Sequence, residues 1–510
     1  MLAPTISRPF HKWTGAFFYR ESVTAAAVTL PMSVQSVVAG DPCQPRQQTQ
    51  DAKEAALQST AHYRSLNQPE RSSPMSTQIE AARQGIITPQ MHTVALNEQL
   101  ESEYIRAMVA AGKIVIPWNH VRKPSRIAGI GTGLNTKVNA SIGTSSDIID
   151  YEAEVRKALV AQEAGADTLM ELSVGGDLDR VRREVIAAVD LPVGNVPLYQ
   201  AFCEAARKYG DPNKLDEELL FDIIERQCAD GMAFMAVHCG INLCTIERLR
   251  KQGYRYGGLV SKGGVSMVAW MIANNRENPL YEKFDRVVSI LRKYDTVLSL
   301  GNGLRAGAIH DSSDRAQIQE LIFNCELAEI GRDLGCQMLV EGPGHVPLDE
   351  IEGNIQLQKR MSGGAPYYML GPIATDVAPG YDHITAAIGA AQSSRFGADL
   401  ICYITPAEHL ALPNEEDVRT GVKSAKIAAY IGDMNKYPHK GRQRDKEMSK
   451  ARRDLNWEKQ FQLALYPEDA RAIRASRTPE DEDTCTMCGD FCASRGAGKL
   501  FAGDLKGDRV

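Results

Sequence analysis

The chain has 510 residues, 43% hydrophobic and 24% charged, enough to bury one large core with accessory segments around it. A formal net charge of −6 argues against a nucleic-acid partner, and no apolar run reaches the roughly 18 residues that a membrane span needs. Phosphorylated small molecules remain accessible, because they require only local Arg, Lys or backbone donors.

Eleven cysteines are present. Eight are scattered (Cys43, Cys203, Cys228, Cys239, Cys244, Cys325, Cys336 and Cys402) and read as reduced thiols of a cytoplasmic protein, not as a disulfide framework. The other three crowd the C-terminal end.

Residues 1–74 differ in composition from the rest of the chain. Val23–Ala39 is mildly apolar and comes after a base-rich start, which suggests a targeting segment. Thr, Ser, Gln and Pro interrupt it, and no cleavage pattern succeeds it, so an over-extended translation start with Met75 as the beginning is the preferred reading. Gln44–Ser73 is polar without a core period and is expected to be disordered. Residues 75–130 form an N-terminal region.

From 131 to 415 strand-like and helix-like segments alternate. Strands are expected at Thr136–Gly143, Thr168–Val174, Val193–Tyr199, Ala233–Cys239, Gly257–Ser261, Thr296–Gly301, Cys336–Glu341, Tyr367–Pro372 and Asp399–Thr405. Amphipathic runs separate them, such as Tyr151–Ala164 with Val155, Ala158 and Leu159 on one face. The alternation predicts an α/β fold, a (β/α)8 TIM-type barrel. Nine candidates compete for eight places, with either Gly257–Ser261 or Tyr367–Pro372 as the irregular extra. Ser141, Glu171, Tyr199, His238, Ser261, Asn302, Glu341 and Tyr368 fall near strand C-termini, where barrel enzymes build their sites.

Glycines succeed strands in Ser173–Asp177, Ser261–Gly264 and Gly301–Arg305. They let backbone N–H groups approach a phosphate, with Lys262 and Arg305 adding charge. The run Gly129–Gly133 lacks a preceding strand and does not support a dinucleotide fold. His345 and His409 also come after strands and are candidates to share a divalent metal, although lone histidines are more often satisfied polar groups.

Residues 416–476 read as helical, including Glu415–Ala429 and Arg444–Leu465. An acidic linker, Arg477–Asp483, opens the 477–510 tail. There Cys485-Thr-Met-Cys488-Gly-Asp-Phe-Cys492 places three thiols on one short loop. Zinc sites usually close with four ligands. Three thiolates leave one corner of a [4Fe–4S] cube open to S-adenosylmethionine. The alternative is a zinc knuckle completed by a distant residue.

From Thr77 (TQIEAARQGIITPQM) to Cys492 the chain resembles the thiamin pyrimidine synthase family of radical S-adenosylmethionine enzymes. The resemblance rests on EGPGHVP at 341–347, TDVAPGYDHITAAIGAA at 375–391, CYITPAEHLALP at 402–413 and the cysteine tail. It implies a barrel acting on aminoimidazole ribotide, an electron donor of the flavodoxin or ferredoxin type, and a homodimer. Cys485, Cys488 and Cys492 would hold the cluster, and His345 and His409 a divalent metal, zinc. The ribotide site would comprise Ser141, Met170, Tyr199, His238, Ser261, Lys262, Gly263, Asn302, Gly303, Leu304, Arg305, Glu341 and Tyr368, with Glu341 and His238 as proton-transfer groups.

The departures concentrate in that pocket. Ser141 stands where the family usually has Asn, Glu171-Leu-Ser-Val174 replaces DLST, Lys262 replaces Arg, Asn302 replaces Asp and Ala306 replaces Pro. The gap between Cys488 and Cys492 is one residue short of the family's usual spacing. Loss of an amide, of a guanidinium fork and of a carboxylate points to a redirected outcome. The paralogous 5-hydroxybenzimidazole branch, a lyase activity, is therefore the first expectation. Phosphomethylpyrimidine synthesis is the alternative, and an inactive binding paralogue is a distant third.

Overall fold

The computed structural model describes residues 76–479 and 483–500. The expectations for residues 1–74 lie outside them. Eight parallel strands close into a barrel in sequential order: β1 (Lys137–Ile142), β2 (Thr168–Glu171), β3 (Val193–Asn195), β4 (Phe234–Val237), β5 (Val297–Leu300), β6 (Met338–Glu341), β7 (Tyr367–Met369) and β8 (Leu400–Cys402). The strands are near-continuous apolar runs such as FMAV and MLVE, as expected of parallel strands buried on both faces. Helices succeed the strands and cover the barrel, several of them started by a small polar cap such as Asp150, Asp177 or Ser261.

Gly257–Ser261 is the irregular segment, and Tyr367–Met369 is a true strand. The N–H groups of Tyr256 and Gly257 donate to the Asp311 carboxylate, at 2.9 and 2.6 Å, instead of to a neighbouring strand. Gly257 also lies so close to the Gly307 backbone that a Cβ would stand 2.4 Å from its carbonyl carbon. Val193–Tyr199 divides into a three-residue strand and a helix begun by Pro197. Arg444–Leu465 divides into helices Pro438–Arg453 and Trp457–Leu463, interrupted where Leu455 takes φ +51° and Asn456 caps the second.

The helix Tyr151–Glu163 buries Glu154, Lys157, Ala158 and Ala161, whereas Leu159 faces solvent. The apolar face expected from the sequence gives way to an inward ion pair, Lys157 to Glu154 at 2.5 Å. Ile130–Gly131 of the glycine run is itself a strand, paired antiparallel with Ile114–Val115, and opens no helix.

The N-terminal end of the barrel is sealed by Gln78–Arg83. Thr77 Oγ1 donates to Gly335 O at 2.9 Å, and Gln78 N–H donates to the buried Asp295 carboxylate at 3.1 Å. A second apolar cluster of residues between Ile79 and Leu134 stands apart from the main core inside and around the barrel. At the other end of the chain, Glu415–Lys436 packs along Asp382–Phe396 and Tyr151–Glu163. Among the described residues no helix is long and apolar enough to cross a membrane.

Candidate functional site

All eight strands end at one face, where a cavity of about 800 Å3 opens. Ser141, Met170, Tyr199, His238, Ser261, Lys262, Arg305, Glu341 and Tyr368 line it, together with His345 and His409. Alternation along the strands explains the selection: Met170 points inward, so its neighbour Glu171 points out toward the helices and lines nothing. There Glu171 accepts from Ser173 N–H at 2.8 Å.

The floor is built around His238. Its ring is wedged among three glycines: Cβ atoms on Gly263, Gly303 and Gly301 would approach it to 2.5, 2.9 and 3.1 Å. Its Nε2 lies 3.0 Å from Ser261 Oγ, which caps the next helix by accepting from Gly264 N–H. Burial, reinforced by the Arg305 charge, holds the imidazole pKa down at about 3, so His238 is neutral at physiological pH. Its Nδ1 has no hydrogen-bond partner among the described residues.

Glu341, the last residue of β6, accepts from the Ser299 hydroxyl at 3.0 Å and from Asn302 N–H at 3.3 Å. Burial pushes its carboxyl pKa up, opposed by those bonds and by Arg305. Lys262 Nζ lies 5.9 Å from the centroid of the Tyr199 ring, and Lys262 and Arg305 line the chamber together with Glu341.

Gly263, Asn302, Gly303 and Leu304 do not line the cavity. Gly263 faces the His238 ring, and Asn302 lies behind Glu341. The N–H groups of Gly303 and Leu304 donate to the buried Glu320 carboxylate at 2.8 and 2.7 Å. This acidic side chain already occupies the donors that the glycine spacing assigned to a phosphate. The Ser173–Asp177 turn is closed in the same sense: Thr144 Oγ1 donates to Gly175 O, and a Cβ on Gly175 would stand 2.0 Å from Ser145 O.

His345 and His409 stand side by side, with ring centroids 5.5 Å apart. His345 Nδ1 bonds Asp376 at 2.8 Å, and His409 Nδ1 lies 3.3 Å from Asp382. The Asp376 hydrogen bond orients the His345 ring, the outer-shell arrangement of metal-bound histidines, whereas Asp382 Oδ2 stands near His409 without a hydrogen bond to it. This donor set fits a divalent ion. Among the described residues no group of three or more His, Cys, Asp or Glu converges as a preformed metal site.

The cysteine tail lies against the C-terminal helices. Trp457 Nε1 donates to Asp483 O at 3.2 Å, and Arg474 donates to Thr484 O at 3.1 Å. Cys485, Cys488 and Cys492 come next, on a tight turn and a short 3-10 segment, with Gly489 at φ +50°, and none of them lines the cavity. Three thiols on one turn suit a soft iron–sulfur centre by donor chemistry.

Sequence reasoning missed several residues. Asp376 and Asp382 sit within TDVAPGYDH, and acids bracketed by two candidate ligands are a usable signal. Lys157 and Cys402 line the cavity without one, because a helical Lys reads as solvated and a scattered Cys as core.

The model of a family described as "Radical SAM ThiC family" matches residues 77–499. A 5-hydroxybenzimidazole synthase of Geobacter sulfurreducens is 86% identical over 436 residues, which cover 86% of this chain and 100% of that protein. One from Desulfuromonas acetoxidans is 75% identical over 435 residues, covering 85% and 100%. A phosphomethylpyrimidine synthase 2 of Methanosarcina mazei is 59% identical over 417 residues, covering 82% and 97%.

Proposed function

We propose that this chain, which belongs to the radical SAM ThiC family, is a lyase that rearranges 5-aminoimidazole ribotide to 5-hydroxybenzimidazole, the lower-ligand precursor of a cobalamin. The gradient of identity carries the reading. Relatives named for that product stand at 86, 86, 75 and 65%, whereas relatives named phosphomethylpyrimidine synthase stand at 59, 58, 58 and 56%. Ser141, Lys262 and Asn302, which depart from the pyrimidine synthases, support it from the chemistry of the pocket.

Cys485, Cys488 and Cys492 would hold a [4Fe–4S] cluster, which when bound supplies the electron that cleaves S-adenosylmethionine to the 5′-deoxyadenosyl radical. His345 and His409 would hold a divalent metal, zinc, with Asp376 fixing the His345 ring and Asp382 adding negative charge beside His409. Lys262 and Arg305 give the ribotide phosphate its countercharge, and Tyr199 stacks beneath Lys262. Glu341, held by two donors, and neutral His238 act in proton transfer. The reading brings with it an electron donor of the flavodoxin or ferredoxin type, a homodimer and a cytoplasmic setting.

The test is the mass of the product made anaerobically from aminoimidazole ribotide, S-adenosylmethionine and a strong reductant. 5-Hydroxybenzimidazole, which carries no phosphate, is expected. The phosphorylated hydroxymethylpyrimidine as main product would reverse the assignment and make the pocket departures neutral.

A further inference from the structure

Ser299 lies in β5 between Leu298 and Leu300, fully buried. An inward hydroxyl at this position interrupts an apolar strand, and such a group persists in a core only with a partner. Its partner is the Glu341 carboxylate: Ser299 Oγ donates to Oε1 at 3.0 Å, while Asn302 N–H donates to Oε2 at 3.3 Å. Both oxygens are thereby fixed as acceptors, a pattern that suits the ionised carboxylate and prevents its rotation.

The balance at Glu341 is set by few groups. Burial favours the neutral acid. Against it act the Ser299 hydroxyl first, then the Arg305 charge, then Asn302 N–H. Tyr199 and Tyr368, which feel the charge of Glu341, are themselves held neutral by burial, and His238 is neutral as well. The hydroxyl is therefore the strongest opposing influence and the easiest to remove alone.

We infer that Ser299 is a positioning residue which holds the Glu341 carboxylate ionised and aimed into the chamber as a proton acceptor. The inference rests on the proposed role of Glu341. Ser299 touches no substrate and acts only through its neighbour.

Reconstituted full-length enzyme would be compared as parent, Ser299→Ala, Ser299→Thr and Glu341→Gln, measuring single-turnover product formation from pH 5.5 to 9 and ribotide affinity by calorimetry. In Ser299→Ala the acidic limb of the rate profile is expected to move up by about one pH unit, with a rate loss approaching about tenfold on the acidic side of the parental limb. Ribotide affinity should change less than about twofold, and Ser299→Thr should restore the parental limb. An unshifted limb in Ser299→Ala, with Glu341→Gln inactive, would overturn the inference and leave Glu341 in its role. Full activity of Glu341→Gln would instead remove the role of Glu341, and that of Ser299 with it. If the alanine variant does not fold, Ser299→Cys, of similar size and weaker as a donor, gives the same reading through the direction of its limb.

Discussion

Adding one methyl group at Gly263 tests the packing around His238. The glycine is in a helical stretch with no positive φ, so alanine by itself should favour that helix by up to about 1 kcal/mol. The same Cβ would, however, stand 2.5 Å from His238 Cε1, 2.9 Å from Nδ1 and 3.0 Å from Nε2, where ordinary contact begins at 3.4 Å. The ring cannot retreat, since Gly301 and Gly303 close its other sides. A shift approaching 1 Å breaks the 3.0 Å contact with Ser261. Overpacking of this kind costs about 1–3 kcal/mol, so Gly263→Ala should lose about 0–2 kcal/mol net once helix propensity is counted. Turnover is more sensitive, because an error of about 1 Å in a reacting group is worth roughly a hundredfold. Thermal unfolding and product formation would be measured in Gly263→Ala, His238→Ala and the double variant. If the clash is the cause, Gly263→Ala becomes neutral or stabilising once His238 is alanine. Equal destabilisation in both backgrounds, or parental turnover in Gly263→Ala, would refute this account of the site.

Replacing Cys485, Cys488 or Cys492 with Ala should abolish S-adenosylmethionine cleavage and leave the circular dichroism of the barrel unchanged; near-normal deoxyadenosine formation in the Cys492 variant would sink the cluster assignment. His345→Ala and His409→Ala should each lower the content of a divalent ion other than iron, read by elemental analysis. Asp376→Asn and Asp382→Asn should weaken its retention by about 10–100-fold, and unchanged metal in all four would dismiss the pair. Burial raises the Asp295 pKa to about 8, so the folded state binds more protons than the unfolded state between about pH 4 and 8 and stability falls as pH rises through that window. The thermal midpoint should therefore decline from pH 5 to 8 more steeply in the parent than in Asp295→Asn, and parallel curves would contradict the assignment.

Much of this architecture was legible in the residues. Apolar strands alternating with capped helices specify a parallel barrel, and strand-end polar residues mark the functional face. What escaped has physical causes. Gly257–Ser261 has the composition of a strand, but its amides go to Asp311, a partner 54 residues away from Gly257 that spacing does not reveal. Gly301–Arg305 looks like a phosphate loop because its glycines come after a strand and Arg305 adds charge. Only the fold shows that Glu320 already receives two of them. Lys157 was hidden because charges on helices usually face water, whereas here the loop 411–413 covers the pair and Pro413 O accepts from Lys157 at 3.1 Å. The two histidines could be nominated from their positions, but their separation and their carboxylate partners could not.

The placement of the cysteines bears on handling and repair. Cys228, Cys325 and Cys336 are sealed in the core, and burial raises their thiol pKa values, to about 12 for Cys325 and Cys336. Such thiols are poor nucleophiles at neutral pH. Cys488, by contrast, is the one exposed thiol among the described cysteines, with Cys485 and Cys492 half-covered beside it. Air and alkylating reagents therefore meet the tail first. Oxidation there leaves the barrel intact, so an enzyme bleached in air should recover after thiol reduction and fresh iron and sulfide, with no cycle of unfolding and refolding.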